Sequence, residues 1–312
     1  MLYLKTINEY FNIANKKEVK RTNTPLKYGE IGTRRNLVAS MTGKKTYKDN
    51  MFMVWLRSQY DEKEWDNITE LYCSDRGLTT LEGIENLPNL KILYCKNNKI
   101  KSLDGIEYLP KLEKLNISYN VDIEIDKLKY SRNLKILIMD NLNLYDKDID
   151  VISDLTSLEE LNCSNNNLLS LPLRKLTNLK ILNVSYNDLR DLNDIGYLSN
   201  LIKLNCASNK IPLLKGIENT KLEFLEAYKN NLTSLDVTNL TSLKYLGITS
   251  NHIEYLDVSK LLHLEHLFIS ENNLKEIDIR NLFNLKEFAC KDNDNLSIIG
   301  IERTKNLKYF YK

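Results

Sequence analysis

The stretch Leu90-Lys91-Ile92-Leu93-Tyr94-Cys95-Lys96-Asn97-Asn98-Lys99-Ile100 decides how this chain folds. Leu90, Leu93, Cys95 and Ile100 occupy its places one, four, six and eleven, and Asn98 occupies place nine. The same frame returns at Leu112, with one residue added at its end, and at Leu158, Leu179, Leu201, Leu222, Leu243 and Leu264, then more loosely at Leu285. A copy at Ile68 comes earlier, a divergent one starts at Leu134, and a truncated one at Leu307. Steps between starts are 21 or 22 residues, except for 24 between Leu134 and Leu158. A fixed period of this size predicts a stacked array, in which each copy buries its apolar places against its neighbours.

Working outward from that frame, place six fixes which side of the short strand faces inward. It holds Cys73, Cys95, Cys163, Cys206 and Cys290 in five copies, and Ile117, Met139, Val184, Ala227, Ile248 and Ile269 in others. Cysteine exchanging with aliphatic residues is behaving as a small hydrophobe, so free core thiols are expected rather than disulfides or a metal site. Place nine holds Asn98, Asn120, Asn166, Asn187, Asn209, Asn230, Asn251, Asn272 and Asn293. An amide turned inward there would satisfy backbone groups exposed where the strand ends, which makes this row structural. Arg76 and Leu142 depart from it, and the sequence gives no account of how Leu142 replaces the amide.

The outer half of each copy reads L-E-G-I-E-N-L (81–87) or L-D-G-I-E-Y-L (103–109) early, and L-D-V-T-N-L (235–240) or L-D-V-S-K-L (256–261) late. Neither is long enough for a helix of average length, so short 3-10 turns or extended pieces are expected there. The step between Leu134 and Leu158 carries Asp146, Asp148, Asp150 and Asp154; it predicts a longer, bulged repeat, and no calcium-loop spacing is present. Residues 49–64 predict a helical cap whose Phe52, Trp55 and Leu56 cover the first turn. Residues 65–312 then form the solenoid, about eleven full repeats and a truncated last one. At its end Tyr309 and Tyr311 either shield the last turn or leave an edge for contact, including self-association.

These repeats resemble the leucine-rich repeat superfamily over about four-fifths of the chain. The G-I-E-x-L copies are similar to repeats of bacterial internalins, and the L-D-V-[TS] copies with place-six cysteines to their cysteine-ladder branch. The resemblance implies an α/β solenoid, a leucine-rich repeat arc with one parallel sheet on its concave face. It also implies binding, mostly of proteins and occasionally of glycans.

Charge is uneven. Residues 1–48 hold eleven Lys or Arg against three Glu, a net of +8, so the remainder carries −6 of the overall +2. This basic leader, with a short helix through Leu2, Ile7, Tyr10, Phe11 and Ala14, is expected to be loosely structured; it offers a second route to a target, as the contact arm of a regulatory subunit or effector. No secretory signal or membrane-length apolar run is seen, so an intracellular location is expected.

Places three, five, seven and eight point outward from the strands. Early copies put Tyr72, Tyr94 and Ile138 at place five and Tyr119 at place eight; late copies put Phe224, Tyr245 and His266 at place three, Phe268 at place five and Tyr228 at place seven. Between them lie Asn162, Asn183, Asn205 and Tyr186. Aligned aromatics on an open sheet predict a protein-binding face, and Asn beside Tyr would also suit a glycan. Outward lysines are scattered among carboxylates, which disfavours nucleic acid. No cofactor motif occurs. Of the histidines, only His266 faces outward, within reach of Tyr245 or Glu287; no nucleophile accompanies it, so catalysis is not expected.

Overall fold

The computed structural model describes residues 50–312. The expectations for the basic leader, residues 1–48, lie outside the described residues.

The first element is helix α1, Met51–Gln59, started by Asn50, whose Oδ1 accepts the Met53 N–H at 2.8 Å. Its Phe52, Met53, Trp55 and Leu56 are buried. Asn50 Nδ2 also donates to the Glu82 carbonyl at 3.0 Å, which ties the helix start to the outer half of the first repeat. Gly83 is required there: its φ is +104°, and a Cβ would collide with the Met53 thioether.

Twelve three-residue strands then build one parallel sheet in chain order. They begin with β1 (Glu70–Tyr72), β2 (Ile92–Tyr94), β3 (Lys114–Asn116), β4 (Ile136–Ile138), β5 (Glu160–Asn162), β6 (Ile181–Asn183) and β7 (Lys203–Asn205). They continue with β8 (Phe224–Glu226), β9 (Tyr245–Gly247), β10 (His266–Phe268), β12 (Glu287–Ala289) and β14 (Tyr309–Tyr311). Two outer segments, β11 (Glu276–Asp278) and β13 (Ser297–Ile299), pair separately. The register is the one the repeat frame predicts: Leu161, Leu182 and Leu204 stand opposite one another. Places one, four, six and eleven form a continuous buried core, and all five cysteines lie in it as free thiols. Burial pushes the Cys163 thiol up to about 12 and that of Cys290 up to about 11.

The outer halves divide as their sequences do. In G-I-E copies a left-handed glycine starts a 3-10 turn, as at Ile84–Asn86 and Ile106–Tyr108, and the glutamate returns to accept the glycine N–H: Glu85 from Gly83 at 3.0 Å, Glu107 from Gly105 at 2.8 Å. In L-D-V copies the aspartate instead accepts the N–H two residues on, Asp236 from Thr238 and Asp257 from Ser259, both at 2.9 Å. The long step forms a helical turn, α2 (Asp146–Ile149), followed by a 3-10 turn, Asp150–Asp154. Three of its carboxylates have protein partners: Asp146 accepts the Leu169 N–H at 2.7 Å, Asp148 that of Tyr145 at 2.9 Å, and Asp154 pairs with Lys175 at 2.8 Å.

Candidate interaction face

The asparagine row does more than close its own strand ends. Asn98 Oδ1 accepts the Arg76 and Leu78 N–H groups of the preceding repeat, both at 3.0 Å. Its Nδ2 donates to the Cys73 carbonyl of that repeat at 3.0 Å and to its own Cys95 carbonyl at 2.8 Å. The pattern repeats down the stack, for example at Asn187, which takes the Leu168 N–H and donates to Cys163 and Val184. Each amide therefore rivets two repeats together and fixes the surface that the strands present.

The exception at Leu142 resolves in the same terms. The copy before it has one extra residue, which places Asp122 at φ +60°, and the Asp122 N–H donates to the Leu142 carbonyl at 2.9 Å. Asn166 of the next copy accepts the Leu142 and Leu144 N–H groups through its Oδ1 and donates its Nδ2 to the Met139 carbonyl. The insertion and the missing amide compensate each other, and the Leu142 side chain joins the core.

A second asparagine ladder escapes a reading based on the strand frame. The residue before place one donates its Nδ2 to a backbone carbonyl of the preceding turn: Asn89 to Asp66 and Asn133 to Pro110 at 2.8 Å, Asn178 to Thr156 at 2.9 Å, Asn284 to Leu262 and Asn306 to Phe283 at 2.8 Å. Place two adds an alternating charged rail, with Lys135 on Glu113 at 3.0 Å, and Lys180 on Glu159 and Lys244 on Glu223 at 2.7 Å. The recurrence of Asn before leucine and the lysine–glutamate alternation were the available signals.

The outward places are not uniform. In the late repeats they hold a packed aromatic column. Phe224 and Tyr245 stack at 4.3 Å between ring centres and 14° between planes; Phe268 and His266 lie 5.5 and 6.0 Å from Tyr245. The Tyr245 hydroxyl donates to Glu226 at 2.7 Å, and Glu226 also accepts the Tyr228 N–H at 2.8 Å. Gly247 leaves the space in which that carboxylate lies, since a Cβ there would fall 2.5 Å from it. Phe224 and Tyr245 are both 0% exposed, and Phe268 is buried. The outward aromatics of these repeats thus pack against one another along the strands, with Tyr228 and His266 half-buried beside them. His266 Nδ1 lies 3.4 Å from Glu287 Oε2, without making a hydrogen bond, while His252 and His263 are exposed.

The early repeats are open. Tyr72 is exposed and meets Tyr94 edge-on at 5.4 Å. Burial, then its hydrogen bond to Glu70, pushes the Tyr72 phenol up to about 12. Tyr94 and Ile138 are buried against the sheet. Tyr119, with Lys96 5.3 Å above its ring, is 44% exposed, and Tyr186 is 53% exposed. Both adopt left-handed backbone, φ +57° and +55°. Place eight is left-handed throughout the stack; small polar residues hold it at Asp75, Asn97, Asn165, Ser208 and Ser250, and the longer Lys229 and Glu271 also hold it. The asparagines between the two regions are already committed: Asn162, Asn183 and Asn205 each accept the N–H two residues on, at 3.1, 3.2 and 3.0 Å. That reduces what they offer a glycan. Among the described residues no cluster of His, Cys, Asp or Glu is arranged to hold a metal ion, and no helix is long and apolar enough to cross a membrane.

Comparison with known proteins agrees with this geometry. A family model described as leucine-rich repeats, two copies, matches residues 66–108 and 88–130. A leucine-rich repeat protein of Leptospira interrogans is 28% identical, with a TM-score of 0.69 over 80% of this chain and 67% of that one. The functional domain of InlJ from Listeria monocytogenes, described as including a cysteine ladder, is 26% identical, with a TM-score of 0.63 over 80% of this chain and 64% of that one. The internalin inlF of the same organism shares the fold at 21% identity, TM-score 0.64, over 80% and 88%. No curated protein sequence matches the chain. The solenoid is thus similar to leucine-rich repeat proteins, internalins among them, and that fold suggests a protein-interaction scaffold.

Proposed function

We propose that this leucine-rich repeat protein is a non-catalytic scaffold that binds a protein partner through the open, early part of its sheet. The observation that carries the reading is the pair Tyr119 and Tyr186. Each holds a left-handed backbone that costs a side chain of this kind about 1 kcal/mol, and each is exposed. Asparagine would fill the position without that cost. Local strain kept at an exposed aromatic points to use by a partner. Tyr72, beside Tyr94, extends the same surface toward the first repeat.

The test is a double variant, Tyr119→Asn with Tyr186→Asn. Its unfolding midpoint should equal or exceed that of the parent, while quantitative capture of proteins from native-host extract should lose the bound partner. Unchanged capture by the folded double variant would remove this face from the function.

A further inference from the structure

The outward place-three row runs Glu70, Ile92, Lys114, Ile136, Glu160, Ile181, Lys203 from β1 to β7, each residue directly opposite the next. Isoleucine recurs on every second strand, and charged residues stand between. Glu160 lies at the middle, walled by Ile136 and Ile181, and is 9% exposed. Among the described residues no hydrogen bond or ion pair reaches its carboxylate; Lys114 and Lys203 act on it from two strands away on either side. Desolvation dominates and raises its protonation range above that of an ordinary carboxylate. The other buried outward carboxylates differ: Glu226 accepts two hydrogen bonds, and Glu287 faces His266. A largely buried carboxylate whose lysines stand two strands away is costly, and isoleucine or asparagine, both used elsewhere in these outward rows, would avoid the cost.

The spacing of the row says what shape would meet it. Parallel strands lie roughly 4.8 Å apart. A helix laid across them advances about 4.5 Å in three residues and about 6 Å in four, so one helical turn matches one strand. An extended peptide repeats its faces at about 6.7 Å and drifts out of step within two strands. We propose that Glu160 receives a lysine or arginine from a helical segment of the protein partner, laid across β3 to β6, with an acidic residue about two turns away on Lys114, an apolar residue between them on Ile136 and another beyond Glu160 on Ile181. This assignment rests on the early face being the binding surface. It adds the partner's secondary structure, its orientation across the strands and its charge order.

Two synthetic helical peptides test it against the full chain by fluorescence anisotropy. One carries acid, apolar, base, apolar at successive three- and four-residue steps; the other has acid and base exchanged. The first should bind at least about tenfold more tightly, Glu160→Gln should abolish the preference, and Glu160→Lys should reverse it. Glu160→Gln should also unfold no more easily than the parent, since it removes an uncompensated charge, so loss of binding cannot be ascribed to misfolding. Equal affinity for both peptides, or a preference that survives Glu160→Gln, overturns the proposal. A displayed library of helical peptides separates the two levels. Binders that lose affinity in Tyr119→Asn but ignore residue 160 would leave the face standing and sink the Glu160 assignment. A library that yields no binder at all would sink both.

Discussion

The early and late halves of this sheet share one register and one core, yet present opposite surfaces. From β1 to β6 the outward places hold exposed Tyr72, Tyr119 and Tyr186, half-buried Ile92, Ile136 and Ile181, and asparagines turned back on their own backbone. From β8 to β10 they hold a stacked column of Phe224, Tyr245 and Phe268, locked to Glu226 and closed to solvent. The same residue class therefore does different work in the two halves. Aromatics stacked on adjacent strands stabilise one another; Tyr119 and Tyr186, at place eight, remain exposed. The outer halves differ in parallel, with glycine-started 3-10 turns in the G-I-E copies and aspartate turns in the L-D-V copies.

The comparison is broken most easily at Tyr245. Tyr245→Ala should cost about 3–5 kcal/mol, the range for deleting a fully buried aromatic, read as a fall in the urea unfolding midpoint. A loss below about 1 kcal/mol would mean that the stacked column contributes little to folding. Next in size, Asn187→Ala in the early half and Asn251→Ala in the late half should each lose about 2–3 kcal/mol, because each strands several buried backbone groups. Equal losses would show that the two halves differ only in what they present. Tyr119→Asn should shift stability the other way, by up to about 1 kcal/mol, through relief of the left-handed backbone.

The smallest effect is in acid. Hydrogen bonds from Thr238, Ser259 and Arg280 hold the Asp236, Asp257 and Asp278 carboxyls below their usual range. A carboxylate lowered on folding contributes stability above its unfolded value, near about 4, and that contribution is lost as pH falls through the lowered one. An Asp236→Asn, Asp257→Asn double variant should therefore lose less stability than the parent between about pH 5 and about pH 2, measured by unfolding midpoints. An identical acid response would remove these turns as a source of the difference between the halves.

Much of this was legible in the repeated frame. Leucine and cysteine at places four and six, one outward residue apart, could only be the buried side of a strand, and Asn98 and its equivalents could only be backbone partners. The cross-repeat reach of those amides was less visible, because the N–H groups they accept lie about twenty residues away. The second ladder was hidden because Asn89 or Asn284 sits outside the strand frame, and an asparagine in a turn is unremarkable by itself. Leu142 looked like a defect until the insertion at Asp122 stood beside it.

The sequence by itself determined the period, the inward places and the parallel stacking, since burying one apolar row per repeat admits a single register. Only the tertiary structure decided which outward side chains pack together. Which outward rings stack, as Tyr245 does on Phe224, depends on the side chains at the same place one strand away, some 21 residues distant in sequence, and on the space a residue such as Gly247 leaves for its neighbour. Packing of outward side chains is a property of adjacent strands together, and the chain reveals it only once they are stacked.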